Sequence, residues 1–414
     1  MSPIRRKEDD AEQGRFDETA RTDNATGRPV TDRYLWGIYI ALVVISLTEL
    51  YSASSREIRA GQVLAPLIRH FMLLGFGFLI ILGLQRVHYK IFYRYTWHIV
   101  ALSIIVAIVI MFKGQVINGA RRSISLGFFT VQSSELLKFS AALLIARVLG
   151  DHQIKVRGRP DVSTWAVVGV AVVVLLFGAM LINQGLTNTL LLVAIALSLM
   201  FIGGVSWKKY LIVLGAYAVL GGGYWLVSSI KASDGAQEQK KENSTDRSQL
   251  RNDRITEFLR KDKYKDPITS ENQQAQYSFI AQANGGIFGV GPGNSRETAR
   301  LPLAFSDYIY AIIIEDTGLA GGLFVMALYL FLLARAGRVG ISCKKVFPTL
   351  LIIGMAVFIV YQALFHMAIV TGFFPVSGQT LPFISKGGSS VIISSVAFGI
   401  MLSVSRYAQR KEDS

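Results

Sequence analysis

The sequence predicts an all-α polytopic membrane protein with about ten transmembrane helices and a large extracytoplasmic loop between spans seven and eight. Three observations carry that expectation. Apolar runs near the ~20 residues needed to cross the hydrocarbon core recur at 34–52, 66–85, 92–112, 132–149, 164–182, 186–203, 210–229, 308–334, 347–371 and 386–405. Hydrophobic residues make up 51% of the 414 residues and charged ones only 17%, with a mean hydropathy of +0.41. Lys and Arg concentrate in alternate connections, as the positive-inside bias requires.

The same numbers exclude several classes. A net charge of +15 first suggests a nucleic-acid binder, but long apolar runs dominate the chain, so no nucleic-acid partner is expected. The single cysteine, Cys343, excludes a disulfide framework and a cysteine zinc site. The five histidines show no HExxH or other paired spacing, so no metal site is expected from them.

Taken in order, residues 1–33 are polar, lack an apolar signal-peptide core and read as a disordered cytoplasmic tail. Residues 34–405 form the transmembrane domain and 406–414 a second cytoplasmic tail. With the N-terminus inside, the inner segments carry 16 Lys and Arg and the short outer loops 7. Both termini therefore face the cytoplasm. Segment 231–306 is then extracytoplasmic and nearly neutral, with 12 basic and 10 acidic residues. Its first half is solvated and polar. Its second half, QYSFIAQANGGIFGVGPGNS, is apolar and Gly-rich, like a re-entrant or surface element lining a cavity.

Ionisable residues at membrane depth each need an account. Glu135 and Lys138, in QSSELLKF, share a helix face by their i, i+3 spacing. They either offset each other's desolvation or also hold substrate. Arg121 and Arg122, in NGARRSISLG, suit either lipid-phosphate anchoring or a clamp on a phosphate-bearing substrate. Asp307, in LPLAFSDYIYAIIIEDTG, is either a helix N-cap, with Ser306 or Asp307 starting the helix, or a general base on the outer face. Glu315, Asp316 and Glu49 read as groups that satisfy facing helices. The stretch PVSGQTLPFISKGGSS (375–390) is broken by Pro and Gly, so its backbone must line a polar cavity or lie buried in protein. It adds Lys386 as an outer cation, with Ser389 and Ser390 as further candidate substrate contacts. GVGPG at 289–293 is no nucleotide loop, because no strand precedes it and no GKS or GKT follows.

Together, in this order, NGARRSISLG with QSSELLKF, NGGIFGVGPGNS, LPLAFSDYIYAIIIEDTG and PVSGQTLPFISKGGSS resemble the SEDS family of cell-wall polymerases (shape, elongation, division and sporulation proteins). The likeness covers residues 34–405. The TLP before FISKGGSS is more similar to the division branch than to the elongation branch, and the wording of two blocks resembles Bacteroidetes members. The family's usual TDFIF is SDYIY here, its QPSE has Ser133 for Pro, and its PDLGT block is replaced by NQGLTNT (183–189). Lys386 stands where many relatives have Tyr.

The resemblance implies a peptidoglycan glycosyltransferase of the bacterial inner membrane, acting at the division septum. Its substrate would be lipid II, the undecaprenyl-pyrophosphate-linked disaccharide-pentapeptide. Asp307 would be the general base, with Arg121, Arg122, Glu135, Lys138, Lys386, Ser389 and Ser390 as substrate-binding residues. A divalent cation, Mg or Mn, is compatible with the pyrophosphate, although no metal motif is present. The implied partners are a class B penicillin-binding transpeptidase, other division proteins and membrane lipids. A lipid-linked-precursor transporter, or flippase, shares the topology and the outer cations and is the rival reading.

Overall fold

The computed structural model describes residues 31–59, 64–117, 120–125, 130–156, 159–182, 184–238, 268–269, 272–301 and 304–407. Eleven α-helices occur among them: α1 (Arg33–Arg59), α2 (Leu64–Leu84), α3 (Lys90–Lys113), α4 (Ser133–Asp151), α5 (Thr164–Ile182), α6 (Leu186–Ile202), α7 (Trp207–Glu238), α8 (Gln273–Gly285), α9 (Ile309–Ile341), α10 (Val346–Val370) and α11 (Gly388–Tyr407). Each apolar run of the sequence is matched by a helix, and α8 is an additional short one within the expected outer loop. Six of the described helices are long and apolar enough to cross a membrane: α1, α3, α5, α9, α10 and α11. The apolar part of α2, Ile68–Leu84, and α6 are shorter. The tail expected at 1–33 lies outside the described residues up to 30. So do the polar half of the large loop from 239 to 267 and the end of the chain from 408.

Helices α10 and α11 form the centre, with 83% of each apolar window buried, against 28% for α3 and α9. Around them, α3, α5 and α7 leave Phe112, Trp165, Leu176 and Ile212 exposed. That is the arrangement of a bundle whose solvent on the outside is lipid. Helix α4 is short in apolar residues yet buried along most of its length. Small residues explain how it fits: Ser140, Ala141, Ala142 and Ala146 are completely buried, allowing close approach to α10.

Strands also occur, which the helical periodicity did not reveal. The α3–α4 connection folds as an antiparallel sheet of β1 (Gln115–Ile117), β2 (Ala120–Ser125) and β3 (Thr130–Gln132), in the order β1-β2-β3. Val116 pairs with Arg121 and Ile124 with Val131. A hairpin of β4 (Gln153–Val156) and β5 (Arg159–Val162) links α4 to α5. Pairing satisfies backbone groups at the ends of a membrane bundle, where unpaired ones are expensive.

The second half of the 231–306 segment is built into the bundle. Helix α9 breaks at Gly318, whose backbone (φ 76°, ψ 179°) is not helical. The Gly-rich segment 286–291 lies across the break. Val290 N–H donates to Glu315 O and Gly291 N–H to Asp316 O, both at 2.9 Å; Leu319 N–H donates to Gly286 O at 2.9 Å. A Cβ at Gly318 would overlap Ile287 O, and one at Gly289 would overlap Asp316 O. The re-entrant character expected of this stretch therefore takes the form of backbone pairing with a broken helix.

The opposite face is tied by charge. Asp32 caps α1 by accepting from Tyr34 N–H (2.9 Å) and Leu35 N–H (3.1 Å). It also binds Arg335 Nε of α9 at 2.9 Å. Asp161 accepts from Lys209 Nζ (2.8 Å), Ser206 N–H (2.9 Å) and Val162 N–H (2.7 Å). Burial pushes the Asp161 carboxyl up, but Lys209 and the two amides outweigh it and hold it below the ordinary carboxylate value.

Candidate active site

Segment 371–387, between α10 and α11, is the centre of the candidate site. It has no regular helix, as the Pro and Gly content requires. Its middle is a tight turn in which Leu381 O accepts from Ser385 N–H at 2.8 Å. Phe383, at φ 65°, is the single non-glycine residue with positive φ among the described ones. Such a conformation costs on the order of 1–3 kcal/mol and persists only where the surroundings impose it. Here the Phe383 ring is completely buried, edge-on to Tyr39 of α1 (5.4 Å) and Phe398 of α11 (5.8 Å). The hydroxyl of Tyr329 on α9 donates to Pro382 O.

This turn holds the segment that carries Asp307. Ser385 Oγ donates to Ser306 O at 2.7 Å, and Lys386 N–H donates to Phe305 O at 2.8 Å. Asp307 is half-buried, and Ser306 Oγ donates to its Oδ1 at 2.7 Å. The helix starts later than the N-cap reading placed it. Helix α9 starts at Ile309 and its N-cap is Tyr308, without a side-chain cap bond. Lys386 meets the same segment two residues before Asp307, its Nζ 5.7 Å from the Phe305 ring centroid.

The other end of the turn meets Glu135 and Lys138. Both are buried, as expected, but they form no direct ion pair. Glu135 Oε1 instead accepts from Gln362 Nε2 (3.1 Å) and Thr380 Oγ1 (3.2 Å). Lys138 Nζ donates to Asn188 Oδ1 at 3.1 Å, as does Gln379 Nε2 at 3.1 Å. His366 Nδ1 donates to Gln379 O at 2.8 Å. Ser389 and Ser390 are buried at the start of α11, and Ser390 Oγ accepts from Gln362 Nε2 at 3.4 Å. Neutral amides therefore disperse the two charges over α4, α6, α10 and the turn. Sequence reasoning missed Gln362, His366, Asn188, Gln379 and Thr380. The signal was present only as polar residues inside apolar runs, and Asn188 belongs to the NQGLTNT block that departs from the family pattern.

Arg121 and Arg122 lie on β2 by their backbone; their side chains fall outside the described residues. Glu315 is engaged by the loop ahead of α9 rather than by a facing helix. It accepts from Ser295 Oγ and from Arg296 N–H at 2.9 Å, pinning the outer loop. Asp316 accepts from Ser52 Oγ of α1, whose oxygen accepts from Gly293 N–H at 2.8 Å. Glu49 is buried, and its Oε2 has no hydrogen-bond partner among the described residues. Nor do three or more His, Cys, Asp or Glu side chains gather among the described residues in a group able to hold a metal.

Known proteins share this chain's sequence and fold. A probable peptidoglycan glycosyltransferase FtsW of Coxiella burnetii is 28% identical over 89% of this chain and 95% of its own length. The stage V sporulation protein E of Bacillus subtilis is 28% identical over 93% and 99%. Among solved structures, a chain from a peptidoglycan synthase complex matches with a TM-score of 0.68 at 23% identity, over 91% of this chain and 98% of that one. The Thermus thermophilus rod shape determining protein RodA matches with a TM-score of 0.61 at 21% identity, over 92% and 99%. These two likenesses establish the polytopic fold. The cell cycle protein model that unites FtsW, RodA and SpoVE matches residues 32–410, and the chain belongs to that family.

Proposed function

We propose that this protein is a peptidoglycan glycosyltransferase that polymerises lipid II on the outer face of the bacterial inner membrane, with both termini in the cytoplasm. The observation that carries the reading is the 380–386 turn. One strained segment hydrogen-bonds to the backbone just ahead of Asp307 through Ser385 and Lys386, and to the buried Glu135 network through Thr380.

Glycan extension requires a base for the acceptor 4-hydroxyl and a countercharge for the departing pyrophosphate. Asp307 takes the proton as that oxygen attacks the anomeric carbon of the donor, which inverts. The C–O bond to undecaprenyl pyrophosphate breaks, and the electron pair leaves on the phosphate oxygen. Lys386, with Arg121 and Arg122, stabilises that charge, and no step is routed through a metal. Lys138, buried and engaged with Asn188, acts through the network that shapes the turn rather than as a direct phosphate contact.

Relatives bearing the FtsW and sporulation names favour a division role over elongation. The neighbour solved in a peptidoglycan synthase complex supports a class B transpeptidase as partner. The test is purified protein in liposomes with lipid II, with and without the cognate transpeptidase. Growing glycan chains support polymerisation. Lipid II that only changes leaflet makes the protein a transporter.

A further inference from the structure

The strained turn that positions the Asp307 segment is also reached by a group that the mechanism above leaves unused. His70, on α2, is buried at 1% exposure. Its Nε2 lies 3.0 Å from Ser46 Oγ of α1, and the same hydroxyl donates to Ile384 O at 3.3 Å. A serine hydroxyl has one hydrogen. Spent on Ile384 O, it leaves the oxygen to accept, so Nε2 of His70 carries the proton and donates. Nδ1 is then bare, and it has no hydrogen-bond partner among the described residues. In that arrangement donation runs from His70 to Ser46 to Ile384 O, an assignment made from the hydroxyl's single hydrogen. Ile384 sits between Phe383, with its left-handed backbone, and Ser385 and Lys386, which grip Ser306 O and Phe305 O.

We infer that His70 is a positioning residue for glycosyl transfer: through Ser46 it holds the 381–386 turn in the register that places Asp307 and Lys386 together. The inference rests on the reading of Asp307 as the base. Lost donation from His70 frees the Ser46 hydroxyl to turn away from Ile384 O. A strained turn without that restraint relaxes, and relaxation shifts Asp307 and Lys386 without removing either. Displacements near 1 Å at a reacting group cost on the order of 100-fold in rate.

The experiment is steady-state lipid II polymerisation by the full chain with its transpeptidase partner, on wild type, His70→Leu, His70→Gln, Ser46→Ala, the Leu/Ala double variant and Asp307→Asn. His70→Leu is expected to lower kcat on the order of 10- to 100-fold while KM stays within about twofold. His70→Gln, which keeps a donor at similar reach, restores most of kcat. Ser46→Ala repeats the loss, and the double variant is no worse than either single one, because the two act as a unit. If His70→Leu fails to fold, Ser46→Ala and His70→Gln still decide the matter. Wild-type kcat in Ser46→Ala or His70→Leu, additive losses, or no recovery in His70→Gln overturns the inference alone, provided Asp307→Asn is inactive. An Asp307→Asn protein that polymerises overturns the reading of Asp307 and this inference with it.

Discussion

Gln362 shows how a neutral side chain can govern charged ones. Its Nε2 faces Glu135 Oε1, Thr380 O, Thr380 Oγ1 and Ser390 Oγ, all of them acceptors. Gln362→Leu would strip the Glu135 carboxyl of a donor in a buried site. Leaving a buried polar group unsatisfied costs about 1–3 kcal/mol, more for a charged one. A lower thermal midpoint in detergent is expected for Gln362→Leu. The double variant with Glu135→Leu should lose less than the sum of the singles, since the orphaned carboxylate is then gone. Additive losses would show that the two side chains do not interact. The sequence showed Glu135, Lys138, Asp307 and Lys386 because charge inside an apolar run is conspicuous. It hid Gln362, Asn188 and Thr380 because uncharged polar residues are tolerated in membrane helices for many reasons, and only packing shows that these converge.

At the scale of elements, the apolar runs located every long helix, since lipid burial demands length and hydrophobicity together, although α1, α7 and α9 continue 7, 9 and 7 residues past the ends of their runs. The strands of the α3–α4 connection went unseen because segments of three to six residues carry too little periodicity to register. The break in α9 was also hidden, as a single glycine in IIIEDTGLAGG reads as tolerated helix. Its cause is a partner 30 residues away, the 286–291 segment that pairs with it. Gly318→Ala should cost about 1–3 kcal/mol for the backbone conformation alone, and more from the overlap with Ile287 O. The expected result is a lower thermal midpoint and earlier proteolytic cleavage between 286 and 294. An alanine variant as stable as wild type would mean that the segment does not dock on the broken helix.

Over the whole molecule, the +15 charge is chiefly a statement about orientation. The basic residues crowd the connections on one side, where Arg335 and Lys209 also clamp Asp32 and Asp161. The smaller share on the other side includes Lys386, whose N–H bonds to Phe305 O. Orientation can be checked in a Cys343→Ser background with a membrane-impermeant thiol reagent on intact cells. Ser244→Cys, in the large loop, should label, and Lys344→Cys, between α9 and α10, should label only after lysis. Reversed labelling would invert the molecule and put Asp307 on the wrong side for an outer-face polymerase. The central claim is that Asp307, held by the 380–386 turn, is the base for glycan extension. Its most direct measurement is the rate of lipid II polymerisation by purified Asp307→Asn beside wild type, at matched thermal midpoints. The rate should fall by about 10²- to 10⁴-fold, the usual contribution of a positioned base; a variant that folds and extends glycan near the wild-type rate would contradict it.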